Sequence, residues 1–598
     1  MATRPFNFSS AIGAIALMVG TAGAAAAQSQ SCPASQDGPM PFKYVGAPTV
    51  AAITPCDLMT RLYKYSDDSM MGRYVGSPYH LMATSYIESE VRRLGLKPGG
   101  DNGGYFQNIH VLLRSFDTTS TMTVGGTVYR GGIDFLASTS GTMRHLDDAK
   151  VLVWGGTVLD TLNAPKGAEA AGMLVYVRQL MALPAGFDQA AFVKSQGYQN
   201  FMTMQRVAAG FIAPAGDAIS PARVTQAIHP SPNAMLLETD KPGLVNLAVR
   251  TPLLDSILGM AAATAPAGTV GKPVSLDLRF TDASLPGRNV VAILPGTDSK
   301  LKGEFVAIGA HNDHIGYNGF GQCGRTMASD SQHVWNEFGR PAGAEGGRDL
   351  RKNPITPDEW TAINSKTAEL RKTIPERADS ICNGADDDGS GTVSVLEIAE
   401  QFAKGSVKPK RSILFVWHAG EELGMWGSGY FMDRPTVPRD SIVAQLNIDM
   451  VGRGAASDVT GQAMEGGVLH GGDRYLQLVG SRRLSTELGD IVEAVNKGKG
   501  YGINFDYHID ADGHPQNIYC RSDHWSYAKW GVPVVFFTTG GHADYHQVTD
   551  EPQYIRYGSM ARIDSLIFDI ALRVADLDHR VVVDHPKPNP APATVCKQ

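Results

Sequence analysis

The C-terminal half of this sequence predicts a largely parallel α/β sheet flanked by helices, and three observations carry that prediction. From Arg288 onward, apolar runs of strand length recur at Val290 to Leu294, Phe305 to Ala310, Ile413 to Trp417, Val443 to Ile448 and Val532 to Thr538. Helical stretches such as Thr392 to Ala403 lie between them, as crossovers between parallel strands require. Ligand-type residues follow the runs: His311-Asn312-Asp313-His314, Glu421-Glu422, Asp449 and Ala543-Asp544-Tyr545-His546. In such sheets ligands bind beyond the carboxyl ends of the strands.

At 598 residues the chain exceeds one core, and two to four domains are expected. A composition of 43% hydrophobic and 19% charged residues, with 66 Gly and 34 Pro, is that of a globular protein rich in turns. The first residues read as an export signal over 1–27: Arg4, an apolar core from Ala11 to Val19, and small residues Ala24 to Ala27 before Gln28. Cys32 follows Ser-Gln-Ser, so lipid attachment is not expected. The mature chain is expected to be soluble and exported, periplasmic or secreted.

Loss of Arg4 with the signal takes the net charge from −7 to −8, which disfavours nucleic acid as a partner. Beyond the signal no eighteen-residue apolar run occurs, so no membrane span is expected. All six cysteines (Cys32, Cys56, Cys323, Cys382, Cys520, Cys596) lie beyond the signal, an even number that an oxidising compartment permits to pair.

Residues 28–125 read as an N-terminal helical part of the main domain, clearest where Ala83, Ile87, Val91 and Leu94 recur before Gly95 ends the helix. Arg73 is expected in a structural ion pair. Residues 126–284 read as a compact insert, with strands at Lys150 to Trp154 and Met173 to Val177 flanking a helix through Ala164 to Ala171. It carries no metal-ligand or nucleophile constellation, and is expected to shape access or bind substrate. Residues 285–584 are expected to form the domain that carries the strand-end residues, and a Pro-rich extended tail is expected over 585–598.

The chemistry centres on Leu414 to Ser428. Adjacent residues at a strand end point in different directions, so Glu421 and Glu422 can divide the work of base and metal ligand. Asp387 lies in Gly384-Ala385-Asp386-Asp387-Asp388-Gly389-Ser390-Gly391, which opens a helix. Two histidines, His311 and His546, and three carboxylates, Asp387, Glu422 and Asp449, suit a pair of zinc ions with open positions for water or substrate. One carboxylate must then bridge, which is hydrolytic machinery.

Gly309-Ala310-His311-x-Asp313-His314, Gly384-Ala385-Asp386-Asp387, Gly420-Glu421-Glu422-x-Gly424, Asn447-Ile448-Asp449 and Tyr545-His546, in that order, resemble the secreted co-catalytic dizinc aminopeptidases. These are metallopeptidase family twenty-eight, with an inserted protease-associated domain. The resemblance spans most of the chain and implies a zinc-peptidase/phosphorylase-like fold acting on peptide substrates. It implies that His311, Asp387 and Asp449 hold one zinc and that Asp387, Glu422 and His546 hold the other. Glu421 becomes the general base, Asp313 orients His311, and Tyr545 either stabilises the oxyanion or packs. Related sites serve carboxypeptidases and glutaminyl cyclases, so the aminopeptidase direction rests on the family's secreted bacterial-type members.

The sequence departs from the family at 317–383, between His311 and the bridging aspartate, where the usual connection is short. Cys323 and Cys382 stand near its ends and a helix is expected from about Pro357 to Ala378. These features predict a Cys323–Cys382 disulfide at the base of a lid that limits substrate size.

Other readings stay open at this level. Asp386, Asp388, Ser390, Gly391 and Glu397 fit the spacing of a calcium-binding EF-hand loop, and a non-catalytic binding ectodomain could retain the fold. Ser522-Asp523-His524 cannot act as a triad from adjacent positions, and reads as pocket lining, ligand support or packing. His229, His418, His508, His514 and His542 read as surface or packing residues.

Overall fold

Nine strands make the central sheet: β1 (Lys97–Pro98), β2 (Phe106–Asn108), β3 (Arg288–Leu294), β4 (Phe305–His311), β5 (Ser412–His418), β6 (Ile442–Ile448), β7 (Tyr475–Val479), β8 (Asn504–Asp506) and β9 (Val534–Thr538). The computed structural model describes residues 29–37, 40–140, 143–157, 165–179, 195–238, 244–323, 327–328, 334, 354–372, 378–588, 596 and 598. The signal expected over 1–27 lies outside them.

Strand order is β1, β3, β5, β4, β6, β9, β7, β8, with β2 also paired to β3. The central strands β5, β4, β6 and β9 are mutually parallel, so their carboxyl ends share one edge. Antiparallel pairing of β3 with β5 and of β7 with β9 makes the sheet mixed. The apolar runs are buried on both faces, with every residue of β5 and β6 inaccessible or nearly so, which explains why these strands do not alternate.

One face is covered by α1 (Pro55–Tyr65), α2 (Pro78–Leu94), α3 (Gly391–Lys404), α4 (Thr486–Lys499) and α5 (Tyr557–Ala575), which share a core with Val306, Phe415, Trp417 and Leu446. Thr54 and Ser77 cap α1 and α2 by accepting the Asp57 and His80 amides, and left-handed Gly95 ends α2.

Strands Val111–Phe116 and Phe280–Leu285 pair antiparallel from Phe116↔Phe280 to Val111↔Leu285, and the insert leaves and returns along this pair. The insert boundary expected at 126 instead falls in the turn of a hairpin, Thr121–Val124 with Thr127–Arg130. Beyond it lie a four-stranded and a five-stranded sheet around a core of their own. The expected strands at 150–154 and 173–177 are present, while the expected helix between them is a short 3-10 turn, Gly167–Ala170, with 158–164 outside the described residues. Its Ala- and Gly-rich sequence offers too little apolar surface for a longer helix to bury.

Three disulfides pair all six cysteines: Cys32–Cys56, Cys323–Cys382 and Cys520–Cys596. Within 317–383 a helix spans Pro357–Leu370, ending before the expected Ala378; most of the intervening stretch lies outside the described residues. The tail expected to be extended past 585 is tied by the Cys520–Cys596 bond and by the Gln598 amide, which donates to Asn517 Oδ1 at 2.8 Å. Among the described residues no helix is long and apolar enough to cross a membrane.

Candidate active site

Because β5, β4, β6 and β9 are adjacent and parallel, the loops after them converge. His311 closes β4, Glu421 and Glu422 follow β5, Asp449 follows β6 and His546 stands in the loop after β9. Asp387 comes from the turn that leads into α3.

That turn is held by side chains from several directions. Asp388 is buried and its carboxylate accepts the amides of His311 (3.0 Å), Gly391 (2.8 Å) and Met450 (3.2 Å), tying three loops together. Asp550 accepts the Asp386 and Asp387 amides at 2.9 and 3.0 Å. Arg73, expected in an ion pair, instead donates to the carbonyls of Asn383 (2.6 Å) and Gly384 (2.9 Å) and lies over the Tyr65 ring. A guanidinium buried beside a turn finds its acceptors in the turn's carbonyls.

Asp387 presents its two oxygens to two different groups. Oδ1 lies 3.1 Å from His311 Nε2, whose other neighbour is Asp449 Oδ1 at 3.8 Å. Oδ2 lies 3.0 Å from His546 Nε2, which is also 3.0 Å from Glu422 Oε2. His314, quoted in the sequence motif without a role, enters the second group: its Nδ1 is 2.7 Å from Glu422 Oε1 and 3.7 Å from Asp387 Oδ2.

The donor set fits divalent metal ions on two observations. The ligand-type atoms of His311, Asp387 and Asp449, and those of His314, Asp387, Glu422 and His546, lie within 4.8 Å of one another in each group. His314 Nδ1, Glu422 Oε1 and His546 Nε2 are buried and lack a hydrogen-bond partner although they are neighbours. Atoms that crowd without bonding are aimed at a common point, which is how ligands surround a cation.

The remaining expected residues surround these groups. Asp313 Oδ1 accepts the amides of Gly420 (2.7 Å) and Glu421 (3.2 Å). His311 Nδ1 lies 3.1 Å from the Asp313 backbone oxygen and 3.6 Å from its carboxylate, so the main chain is the nearer partner of the ring. Tyr545 stacks on His546 with ring centroids 3.9 Å apart. Glu421 stands outside both ligand groups and lines the adjoining cavity. Burial pushes its carboxyl well above the ordinary range, with Asp449 and Glu422 adding to the effect and His311 opposing it. At Asp387 burial also works upward, but His311 and His546 outweigh it and hold the carboxyl low.

Ser522 donates to Asp449 Oδ2 at 2.6 Å, which places it in support of a ligand-type residue; Asp523 faces His418, and His524 stacks on Phe536. The calcium-loop reading fails on Glu397, whose carboxylate pairs with Arg61 at 2.9 Å, and on Asp388, whose oxygens are taken by backbone amides. His418 and His542 are buried and His514 nearly so, each with a polar neighbour, whereas His508 is exposed.

The cavity beside the two groups has a volume of about 380 Å³ and is lined in part by Met425, Met450, Ile509, Ile518 and Phe536, and in part by polar residues that include Gln322, Gln516 and Arg521. A cavity of about 390 Å³ in the insert is lined by no carboxylate or histidine. The first is the one that adjoins the chemistry.

The mixed α/β sheet gathers histidines and carboxylates at one strand-end edge, a donor set that suits divalent metal ions. Residues 289–571 match the model of peptidase family M28. It is 29% identical over 202 residues to leucine aminopeptidase 1 of Aspergillus oryzae, covering 32% of this chain and 47% of that protein. Leupeptin-inactivating enzyme 1 of Streptomyces exfoliatus is 27% identical over 178 residues, covering 29% of this chain and 33% of that protein. The matches thus span a third to about half of these relatives. Among solved structures, the aminopeptidase from Aneurinibacillus sp. strain AM-1 aligns over 90% of this chain and 98% of its own, at 15% identity and a TM-score of 0.41.

Proposed function

We propose that this protein is an exported, zinc-dependent aminopeptidase that removes N-terminal residues from peptides. The observation that carries the reading is Asp387, one carboxylate offering an oxygen to each of two ligand groups, with Glu421 beside them at the mouth of a cavity. His311, Asp387 and Asp449 would hold one zinc, and Asp387, Glu422 and His546 the other. When bound, two zinc ions here supply Lewis acidity toward a peptide carbonyl and a water molecule.

The chain's own residues do the rest. Glu421 takes a proton from the attacking water and passes it to the leaving amine, a role suited to a carboxyl whose burial makes it a stronger base than an ordinary glutamate. Asp313, by fixing the Gly420 and Glu421 amides, aims that carboxyl. Tyr545 remains a protonated phenol, because burial raises its pKa further, and so can donate to the developing oxyanion. The apolar part of the cavity lining, Met425, Met450, Ile509, Ile518 and Phe536, suits an uncharged N-terminal side chain.

The aminopeptidase direction is supported by the leucine aminopeptidase relatives, export by the pairing of all six cysteines, and a protease-associated identity for 126–284 by its separate core. The test is an assay of purified mature protein with measured metal content on aminoacyl anilides and on carboxyl-terminal substrates, with and without chelator. Anilide cleavage that chelator abolishes is expected. Cleavage of carboxyl-terminal substrates alone would overturn the assignment.

A further inference from the structure

The geometry points to His314 as a fourth protein ligand, through Nδ1, of the metal that Asp387, Glu422 and His546 hold. This deepens the dizinc reading and rests on it. His314 is fully buried, and both of its ring nitrogens lack a hydrogen-bond partner. Its Nδ1 joins the oxygens of Asp387 and Glu422 and the His546 nitrogen in one group whose members are all within 4.8 Å of one another. Glu422 Oε1 stands 2.7 Å from Nδ1, within hydrogen-bond distance, but the two atoms are not in hydrogen-bond geometry. A ring buried in this way, with a carboxylate beside it and no hydrogen-bond geometry between them, is satisfied when one cation takes both as ligands.

The surroundings hold the ring in that position. Gly384 packs against it, and a Cβ there would stand 2.5 Å from His314 Cγ and Cδ2. Arg73 fixes the Gly384 carbonyl from the other side at 2.9 Å. The His546 ring meets the His314 ring edge to face at 5.6 Å. Only a residue without a side chain at 384 leaves the imidazole its space.

A functional asymmetry follows. Four protein ligands close a zinc site, whereas three leave a position open for water or substrate. The His314 site would therefore fill first and release its ion last, while the His311–Asp387–Asp449 site carries the exchangeable ion and the open position.

The test uses mature full-length protein, stripped of metal and reloaded with one equivalent of Co²⁺. Two strongly shifted, exchangeable imidazole N–H proton resonances are expected in the wild type, from His314 and His546. One should remain in His314→Ala and in His314→Gln. In zinc titrations both variants should weaken the tighter step at least tenfold and leave the weaker step within about threefold. A single shifted resonance in the singly loaded wild type overturns the proposal, because it means that His314 merely stands beside Glu422. So do unchanged affinities in both variants. A wild type that binds only one ion, with two shifted imidazoles, overturns the dizinc reading and supports the four-ligand site.

Discussion

Ser522 Oγ lies 2.6 Å from Asp449 Oδ2 and donates to it, so one oxygen of that carboxylate is occupied and the other, Oδ1, is turned toward His311. The serine is itself placed by Asn447 Nδ2 at 3.0 Å, and Asn447 Oδ1 by Gln445 Nε2 at 3.1 Å. A chain of three polar side chains therefore sets the rotamer of one candidate ligand. Ser522→Ala should weaken metal binding at the His311–Asp449 group about 10- to 100-fold and leave the other site unchanged. Zinc titration checks it, and equal weakening of both sites would assign the serine a general structural role.

Glu421 belongs to neither ligand group. Glu421→Gln should bind both metals as the wild type does and lose roughly a hundredfold or more in turnover, since the amide cannot carry a proton from water to amine. Metal analysis beside steady-state kinetics decides the matter. Loss of zinc together with activity would make Glu421 a ligand.

Asp387 faces both groups, and Asp387→Asn should weaken both sites together because an amide supplies no charge to either ion. His546→Ala should mainly affect one. Loss of one metal with the other held at unchanged affinity would show that the carboxylate is not shared.

Much of the fold, and the gathering of the candidate ligands at one sheet edge, was legible because both are written locally. A buried strand is a continuous apolar run, and a metal site at its end needs His, Asp or Glu within a few residues, as at Ala310-His311 and Ile448-Asp449. What was missed, as with the role of His314, or left open among several readings, as with Ser522, depends on distant pairing. His314 stands 108 positions before the Glu422 it faces, and Ser522 follows the Asp449 it supports by 73. The root of the insert is a pairing of Val111–Phe116 with Phe280–Leu285, whereas composition changes only near 126. The calcium-loop spacing misled for the opposite reason: it is purely local, and Glu397 turns to Arg61 on another helix.

The Cys323–Cys382 bond expected from sequence is present, and its second sulfur lies just before the Gly384–Asp387 turn. The Cys382 amide donates to Gly316 O at 3.0 Å, linking the bond to the loop after β4. Replacing both cysteines by Ala should cost about 2–5 kcal/mol of stability. It should also raise the rate at which a chelator removes metal, because the turn that carries Asp387 loses an anchor. Denaturant unfolding and chelator kinetics test the two effects separately. An unchanged metal-release rate would confine the disulfide to stability.

A last prediction concerns pH and lies away from the metals. Arg61 is buried against Glu90, Glu397 and Glu400, at 2.6 Å from the first and 2.9 Å from the second. One guanidinium shared among three carboxylates cannot offset the burial of all of them. Burial accordingly pushes Glu397 up to about 8, with Arg61 opposing, whereas Arg93 joins Arg61 in holding Glu400 low despite its burial. Between the ordinary glutamate range and about pH 8, the folded protein keeps a proton that the unfolded chain has released. Unfolding then releases a proton, so this group's contribution is full below the unfolded value and is lost as pH rises through the folded one. Glu397→Gln is neutral at every pH and lacks that slope. Relative to the wild type, the variant should gain on the order of 3 kcal/mol in unfolding free energy between pH 5 and pH 9. Urea unfolding of both proteins at the two pH values measures it. The same difference at both would mean that Glu397 is ionised throughout and that the Arg61 pair outweighs burial.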